Sequence, residues 1–208
     1  MPISDFPRID SETVHIDWGS LKRTYAYLFP KKSSLAIGAG GLGLNASEIK
    51  NYQRAFLQVK WQKGEIPPFG AGGFLLPLRK KRSPIQKGRC LLLGDAAGLV
   101  DPFTGEGIYF ALRSARIAAS ALEKASGENG NSLEAYQQAI DRDVMPELES
   151  SKFFREIFNL RPSFFHRKIY TQDRWWNAMV KILRGEKTFL DLKKKMALLG
   201  SLLLRMAR

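Results

Sequence analysis

The segment Cys90–Gly98, with its continuation through Pro102 to Ile108, constrains the fold of this chain more than any other stretch. It opens with an apolar run of one cysteine and three leucines, which predicts a strand buried on both faces. Gly94 ends the run and Asp95 follows at once. An acid at the carboxyl end of a buried strand lies where open α/β sheets bind ligands, and small neighbours let a bulky ligand approach the backbone. We expect Cys90 to be a small core residue.

A helix is predicted directly after this turn. Apolar and small residues recur there at helical spacing: Ile108, Ala111, Leu112, Ala115, Ala118, Ala119 and Leu122. Gly105 and Gly107 therefore lie at or near a helix N-terminus, where free N–H groups and the positive end of the helix dipole attract anions. The order of strand, acid, glycines and helix predicts a ligand site, whereas an ordinary strand–turn–helix with an aspartate cap is the alternative.

The pattern GDAAGLVDPFTGEGI, followed by a helix of small residues, closely resembles the second FAD-binding motif of the para-hydroxybenzoate hydroxylase-like flavoproteins, and most of all that of the geranylgeranyl reductases. The resemblance implies that Asp95 binds the ribityl chain of FAD. It also implies that the turn and the helix start contact the diphosphate and the pyrimidine edge of the isoalloxazine. The cofactor-binding residues so implied are Gly94, Asp95, Ala96, Pro102, Gly105, Glu106, Gly107 and Ile108.

A first dinucleotide-binding motif, GxGxxG between a strand and a helix, is expected upstream in such a flavoprotein. Gly38–Gly43 fits the letters, but the residues that follow resemble a linker and a helix cap, and that helix is polar. We therefore expect a glycine-rich strand end here. The chain is then interpreted as the C-terminal portion of a flavoprotein, with the N-terminal FAD-binding half in the same longer chain or in a split partner.

Aromatic residues alternate in the segment before these glycines, and a basic turn and a second apolar strand follow, which predicts an antiparallel hairpin. Tyr25, Tyr27 and Phe29 share one face of the first strand, where they form either a core-facing row or the lining of an apolar slot. The segment through Pro30 and Lys31 is similar to the Tyr-x-Trp-x-Phe-Pro-Lys segment of geranylgeranyl reductases, with tyrosine at the tryptophan position. That resemblance implies that Tyr25, Tyr27, Phe29 and Pro30 line an isoprenoid cavity.

Other segments complete the predicted architecture of mixed α+β and α/β class. We expect helices over 45–63, over 133–158 with an interruption near Pro146, over 168–184 and in the tail from Glu186. Residues 74–78 are predicted to form a short strand. The basic residues from Arg79 to Arg89 are predicted to form a solvated loop, and binding of a phosphate by them is the alternative. The predicted domains are an antiparallel substrate-domain sheet with one helix (1–85), an FAD-binding strand–turn–helix (86–125) and a helical region (126–208).

Composition limits the function classes. The single cysteine excludes an internal disulfide framework, and the two histidines and this cysteine have no metal-ligand spacing. No secretory leader pattern follows Met1, so we expect a cytoplasmic protein. The formal net charge of +13 and the basic amphipathic tail favour either an anionic membrane surface or docking of the tail on preceding helices. Nucleic acid is an unlikely partner, because no binding motif accompanies the charge.

The resemblance implies an FAD-dependent reductase that saturates carbon–carbon double bonds of a geranylgeranyl chain, with NAD(P)H or reduced ferredoxin as electron donor. The proton donor is not identified. One alternative is an aromatic monooxygenase or a lycopene-cyclase-like flavoprotein of the same superfamily. A second is a non-enzymatic, basic, membrane-associated module. Because the adenine-binding half is expected elsewhere, we predict weak or absent FAD binding by these 208 residues alone.

Overall fold

A computed structural model describes residues 10–18, 23–61, 66, 72–126 and 133–206, with the side chains of 198–206 left out. The chain divides into two compact units. The first comprises Met1–Phe74 with Arg161–Arg167, and the second comprises Leu75–Leu160 with Lys168–Arg208. The domain boundaries expected from the sequence stay a prediction.

The first unit contains a three-stranded antiparallel sheet in the order β1-β2-β3, covered on one face by a helix. Its elements are β1 (His15–Trp18), β2 (Thr24–Pro30), β3 (Leu35–Gly41) and α1 (Ala46–Trp61). The predicted hairpin is confirmed, since β2 and β3 pair from Thr24 opposite Gly41 to Pro30 opposite Leu35. The glycines from Gly38 to Gly41 therefore belong to a strand, as the sequence predicted.

The core of this unit lies between α1 and one face of the sheet. Ala26 and Leu28 of β2 are fully buried there against Phe56 and Leu57 of α1. The helix begins with a capping box, in which Glu48 N–H donates to Asn45 Oδ1 (3.0 Å) and Asn45 N–H donates to Glu48 Oε2 (2.8 Å). The cap and the apolar spacing together explain why the predicted helix forms.

The second unit is mainly helical. Its elements are β4 (Gln86–Lys87), β5 (Cys90–Leu91), a 3-10 helix (Gly94–Ala97), α2 (Ile108–Ala125), α3 (Glu134–Asp143), α4 (Met145–Leu160), the later part of α5 (Pro162–Thr171), α6 (Asp173–Leu183) and α7 (Phe189–Met206). The predicted break near Pro146 is confirmed at the junction of α3 and α4. The single helix expected over 168–184 is wrong, because Gln172 adopts an extended conformation between α5 and α6.

The core of the second unit packs α2, α3 and α4 around Tyr136, Ile140 and Leu148. Tyr136 is fully buried, and its hydroxyl donates to the carbonyl of Leu92 (2.7 Å). Burial raises the pKa of Tyr136 to about 12, so the hydroxyl remains a donor at neutral pH. This bond ties α3 to the segment that leads into the 3-10 helix.

Two predicted strands are corrected. The run from Cys90 was expected to be buried on both faces, but β5 has two residues and pairs antiparallel with β4, and Cys90 is exposed. In the described part of the chain no further strand flanks β5, and Leu92 and Leu93 are exposed. Residues 74–78 form no strand, and Phe74 is 93% exposed. Both runs have the composition of strands, but β5 has one partner strand and residues 74–78 have none among the described residues, and β structure depends on such neighbours.

Arg79 corrects the expectation of a fully solvated basic loop. Its side chain is 1% exposed and forms an ion pair with Asp141 of α3 at 2.8 Å. Its guanidinium also donates to the carbonyl of Ser83. Such an ion pair offsets the free-energy cost of burying the guanidinium charge. The side chain of Arg79 therefore holds the loop against α3. Its neighbours from Lys80 to Arg82 are exposed, as the sequence predicted.

The start of α7 docks on the helices before it. Phe189 is buried, and its ring centroid lies 5.1 Å from that of Phe103 and 5.5 Å from that of Phe154. The predicted docking of the tail is therefore confirmed for this first turn. Among the described residues, no helix is both long and apolar enough to cross a membrane.

Candidate functional site: a hollow at the start of helix α2

Gly94 brings the 3-10 helix against α2. Its φ of 50° lies in the left-handed region, which glycine adopts without steric cost. A Cβ at this position would lie 2.8 Å from Ala111 Cβ, so the two backbones approach closely because both residues are small. The amide of Gly94 donates to Ser114 Oγ (3.0 Å), which in turn donates to the carbonyl of Ala111 (2.9 Å). The position of the turn is thereby fixed relative to the helix.

The loop that enters α2 is organised by Asp101, which is 6% exposed. One carboxylate oxygen of Asp101 accepts hydrogen bonds from the amides of Phe103 (2.9 Å) and Thr104 (2.8 Å) and from the hydroxyl of Ser151 (2.7 Å). The backbone of Asp101 closes the loop, since its carbonyl accepts from the amide of Gly105 at 2.9 Å. Gly105 has a φ of 74°, so the tight return of the loop requires glycine there.

A hollow of ≈ 760 Å³ lies between the 3-10 helix and the start of α2. Its lining consists of Leu93, Gly94, Asp95, Ala96, Gly105, Gly107, Ile108, Ala111 and Leu112. Asp95 is exposed, and its carboxylate lies against Gly107, where a Cβ would be 2.6 Å from Asp95 Oδ1. Glycine at position 107 therefore leaves room for this carboxylate beside the first residue of the helix.

The first amides of α2 are available to a ligand. Glu106 Oε1 accepts from the amide of Tyr109 (2.8 Å), which satisfies one of the free N–H groups of the helix start. The amides of Gly107 and Ile108 have no hydrogen-bond partner within the described part of the chain. Ile108 is 77% exposed and Leu112 is 69% exposed. The hollow therefore combines a carboxylate acceptor, two amide donors at the positive end of a helix and an apolar rim.

These groups suit a ligand that carries hydroxyl donors, an electron-rich edge and a flat apolar body. Of the eight predicted cofactor-binding residues, six line the hollow, and Pro102 and Glu106 instead belong to the loop that shapes it. The structure thus brings the predicted residues together, and binding of FAD by them stays a prediction. The space that Gly107 leaves beside Asp95 suits a ribityl hydroxyl, because the hydroxyl donates a hydrogen bond and the carboxylate accepts one.

The aromatic row of the first unit, Tyr25, Tyr27 and Phe29, covers the face of the sheet opposite α1. The ring centroids of Tyr25 and Tyr27 are 6.3 Å apart, and those of Tyr27 and Phe29 are 4.5 Å apart, in stacked arrangements. Tyr25 and Tyr27 pair with Gly40 and Gly38, and their rings lie over these glycines. Phe29 is 38% exposed, so the interpretation of a core-facing row is wrong.

Burial raises the pKa of Tyr25, and the neighbouring hydroxyl of Tyr27 raises it further. Tyr25 is therefore a neutral hydrogen-bond donor at physiological pH. Pro30 ends β2 beside this row. The arrangement provides a flat aromatic surface with polar tips, and its use as an isoprenoid surface stays a prediction.

The sequence analysis missed the residues that hold the loop and the turn in place. The role of Asp101 has a signal in the local sequence. Aspartate commonly begins a turn in which its side chain accepts hydrogen bonds from the amides two and three residues later. Ser114 and Ser151 have no local signal. Ser151 lies on α4, 50 residues from the carboxylate to which it donates. Only tertiary packing identifies such a contact.

No family model matches the sequence. The chain is 39% identical over 109 residues to a geranylgeranyl diphosphate reductase of Synechocystis sp., covering 51% of this chain and 26% of that protein. It is 30% identical over 165 residues to digeranylgeranylglycerophospholipid reductase 2 of Methanothermobacter thermautotrophicus, covering 73% of this chain and 40% of that protein.

Among solved structures, the fold is similar to the crystal structure of a geranylgeranyl bacteriochlorophyll reductase-like protein from Thermoplasma acidophilum. The TM-score is 0.60 at 27% identity, and the match covers 73% of this chain and 40% of that one. The resemblance to geranylgeranyl reductases is confirmed by these comparisons over part of the chain. The chain spans between about a quarter and two fifths of the length of these relatives.

Proposed function

We propose that this chain forms part of an FAD-dependent reductase that saturates carbon–carbon double bonds of a geranylgeranyl chain. The observation that carries the proposal is the carboxylate of Asp95 against Gly107, in one hollow with two amides at the start of α2 that have no partner among the described residues. The relatives named geranylgeranyl reductases support the same chemistry. The hollow favours a flavin ligand, and the names of the relatives favour reduction of an isoprenoid chain.

The residues of the hollow bind and orient the cofactor in this proposal. Asp95 would accept a hydrogen bond from a ribityl hydroxyl and so orient the cofactor relative to α2. The amides of Gly107 and Ile108 would donate to an electron-rich edge of the cofactor, where the helix dipole favours negative charge. The redox chemistry is that of the bound FAD, with NAD(P)H or reduced ferredoxin as electron donor.

We assign the substrate surface to the aromatic row of the first unit, Tyr25, Tyr27 and Phe29, with Pro30 at its end. A polyunsaturated hydrocarbon chain gains from burial against aromatic rings in proportion to the apolar area covered. Glycines under the two tyrosines keep this surface flat. An isoprenoid chain that partitions into lipid is consistent with our expectation of an anionic membrane surface as a partner.

The adenine half of FAD requires a further dinucleotide-binding unit in this proposal. The relatives are much longer than the matched regions, which supports such a unit outside these 208 residues. The expected consequence is that the chain alone distinguishes FAD from FMN weakly, since its residues contact the riboflavin portion that the two cofactors share.

The test is a titration of the isotope-labelled chain with FMN and with FAD, followed by NMR amide shifts. We expect weak binding of both, with the largest shifts at Asp95, Gly107 and Ile108. Asp95→Asn, which keeps the shape but removes the charge, is expected to weaken binding about tenfold, because hydrogen bonds to charged acceptors are the stronger ones. Glu123→Gln is the matched control, because Glu123 is an exposed acid of α2 that does not line the hollow.

Shifts that map outside the hollow, or equal affinity in Asp95→Asn, contradict the flavin assignment. Tight stoichiometric binding of FAD by the chain alone contradicts the expected need for a further unit. When the chain is reconstituted with an N-terminal FAD-binding half, analysis of the product distinguishes a reductase from a monooxygenase. Saturation of a prenyl chain supports the proposal, and oxygen-dependent hydroxylation supports the monooxygenase alternative.

A further inference from the structure

A second concave surface of the second unit lies between α2 and α3, and it shares no residue with the hollow. It encloses ≈ 530 Å³. Its lining consists of Arg113, Arg116, Ile117, Ser120, Ala121, Lys124, Ala135, Gln138, Ala139, Arg142 and Asp143. Four of these side chains are cationic and one is a carboxylate. We call this surface the basic groove.

Two of the four cations are already engaged. Arg113 forms an ion pair with Glu147 (2.8 Å) and donates to the carbonyl of Asp143. Arg142 binds both carboxylate oxygens of Asp143, each at 2.7 Å, which neutralises the one acid of the groove. The remaining charge of the groove therefore comes from Arg116 and Lys124.

Arg116 and Lys124 are exposed and have no ion-pair partner within the described ranges of the chain. With Ser120 they follow one another at intervals of four residues along α2, so all three side chains lie on one face of the helix. Gln138 of α3 also lines the groove. The groove thus presents a guanidinium, an ammonium, a hydroxyl and an amide around small apolar side chains.

We propose that the basic groove binds a phosphate-bearing ligand. An arginine guanidinium matches two phosphate oxygens with its planar fork, and a lysine ammonium adds a mobile point charge. The hydroxyl of Ser120 and the amide of Gln138 supply neutral donors for the remaining oxygens. Alanine at positions 121, 135 and 139 leaves the width that a tetrahedral group between two helices requires.

The test uses the full chain with two probes, which separate a free phosphate from a lipid headgroup. Inorganic pyrophosphate is titrated by calorimetry, and vesicles of phosphatidylcholine with or without phosphatidylglycerol are tested by sedimentation. The site variant is Arg116→Gln/Lys124→Gln. The control variant is Arg174→Gln/Lys181→Gln, which loses the same charge from two exposed residues of α6 outside the groove.

We expect the site variant to bind its probe at least about tenfold more weakly, because two charge-assisted contacts are lost, and the control to bind within about twofold of the parent. Pyrophosphate binding with this pattern identifies a free phosphate ligand. Binding only to vesicles with phosphatidylglycerol, with the same pattern, identifies a lipid headgroup. Equal losses in both variants, or binding to neither probe, overturn the proposal, since the groove is then an ordinary solvated face. Parent-like circular dichroism is required of both variants.

Discussion

Two glycine-rich segments of this chain fit cofactor-binding patterns, and the structure gives them different roles. At Gly38 of β3, a Cβ would lie 2.3 Å from Cζ of Tyr27 on the facing strand, and at Gly40 it would lie 3.0 Å from the ring of Tyr25. At Gly107, a Cβ would instead lie 2.6 Å from the carboxylate of Asp95. The first set of glycines makes room for packing, and the second makes room for a polar group in an open hollow.

Glycine spacing alone therefore does not define a ligand site. The environment decides, because Gly38 and Gly40 lie opposite aromatic rings of the sheet, whereas Gly107 lies beside an acid and helix amides that have no partner among the described residues, which is the setting of the proposed ligand site.

The largest effect is expected at Asp101, which supports the glycines of the hollow and has no counterpart in β3. Asp101→Ala leaves the amides of Phe103 and Thr104 and the hydroxyl of Ser151 without their acceptor. We expect a loss of about 3 kcal/mol in the free energy of unfolding, since bonds to charged acceptors are worth about 1.5–3 kcal/mol each and are not additive. Urea unfolding followed by circular dichroism measures it.

Asp101→Asn is the control for this prediction, because its side-chain oxygen can still accept these bonds. We expect it to recover a large part of the stability. A parent-like stability of Asp101→Ala would show that the loop is held by other contacts.

The next effect tests the glycines of β3. Gly38→Ala places a methyl group inside the ring of Tyr27, which is stacked on Phe29, so the row must shift. We expect a loss of about 1.5 kcal/mol in the free energy of unfolding, within the usual range for overpacking. Gly73→Ala is the matched control, because no atom lies within 4 Å of its Cβ position.

A double-mutant cycle with Tyr27→Ala identifies the cause of that loss. If the clash is responsible, Gly38→Ala costs much less when residue 27 is alanine. An additive cycle would mean that the glycine is required for the strand backbone and not for the ring.

The same substitution in the hollow is expected to act on binding and not on stability. Gly107 has a φ of −120°, which alanine adopts without strain, and only a movable carboxylate meets the new methyl group. Gly107→Ala should lower the affinity for FMN about tenfold, because it displaces the carboxylate of Asp95. The free energy of unfolding of this variant is expected to lie within about 0.5 kcal/mol of the parent value. A large loss of stability with unchanged affinity would reverse the comparison.

The two segments also show how far the sequence predicts this molecule. The hairpin, α1 with its Asn45 cap, the start of α2 and the break near Pro146 follow from local periodicity and end signals. The run from Cys90 and residues 74–78 were assigned to strands from composition, which does not contain the neighbours that a strand needs. Within the hollow, the residues of the motif were found, but Ser151 and the burial of Arg79 depend on contacts with α3 and α4.

The smallest expected effect concerns the acidity of Tyr25. Burial first, and the hydroxyl of Tyr27 second, hold the pKa of Tyr25 above its ordinary value of 10.0. Gly40→Ala places a methyl group 3.0 Å from this ring. The ring then moves toward solvent, and we expect the pKa of Tyr25 to fall toward the ordinary value. NMR titration of the ring carbon that carries the hydroxyl measures this pKa.

The sign of the linked stability follows from the same burial. A tyrosine whose pKa is raised in the folded state stabilises it below pH 10 and loses that contribution as pH rises through the folded pKa. In Gly40→Ala the folded pKa lies closer to the unfolded value, so the total alkaline loss is expected to be smaller. Tyr27→Phe should also lower the pKa of Tyr25, since it removes the second cause and keeps the ring. If neither variant changes that pKa, the glycines of β3 do not set the depth of the aromatic row, and their difference from Gly107 needs another explanation.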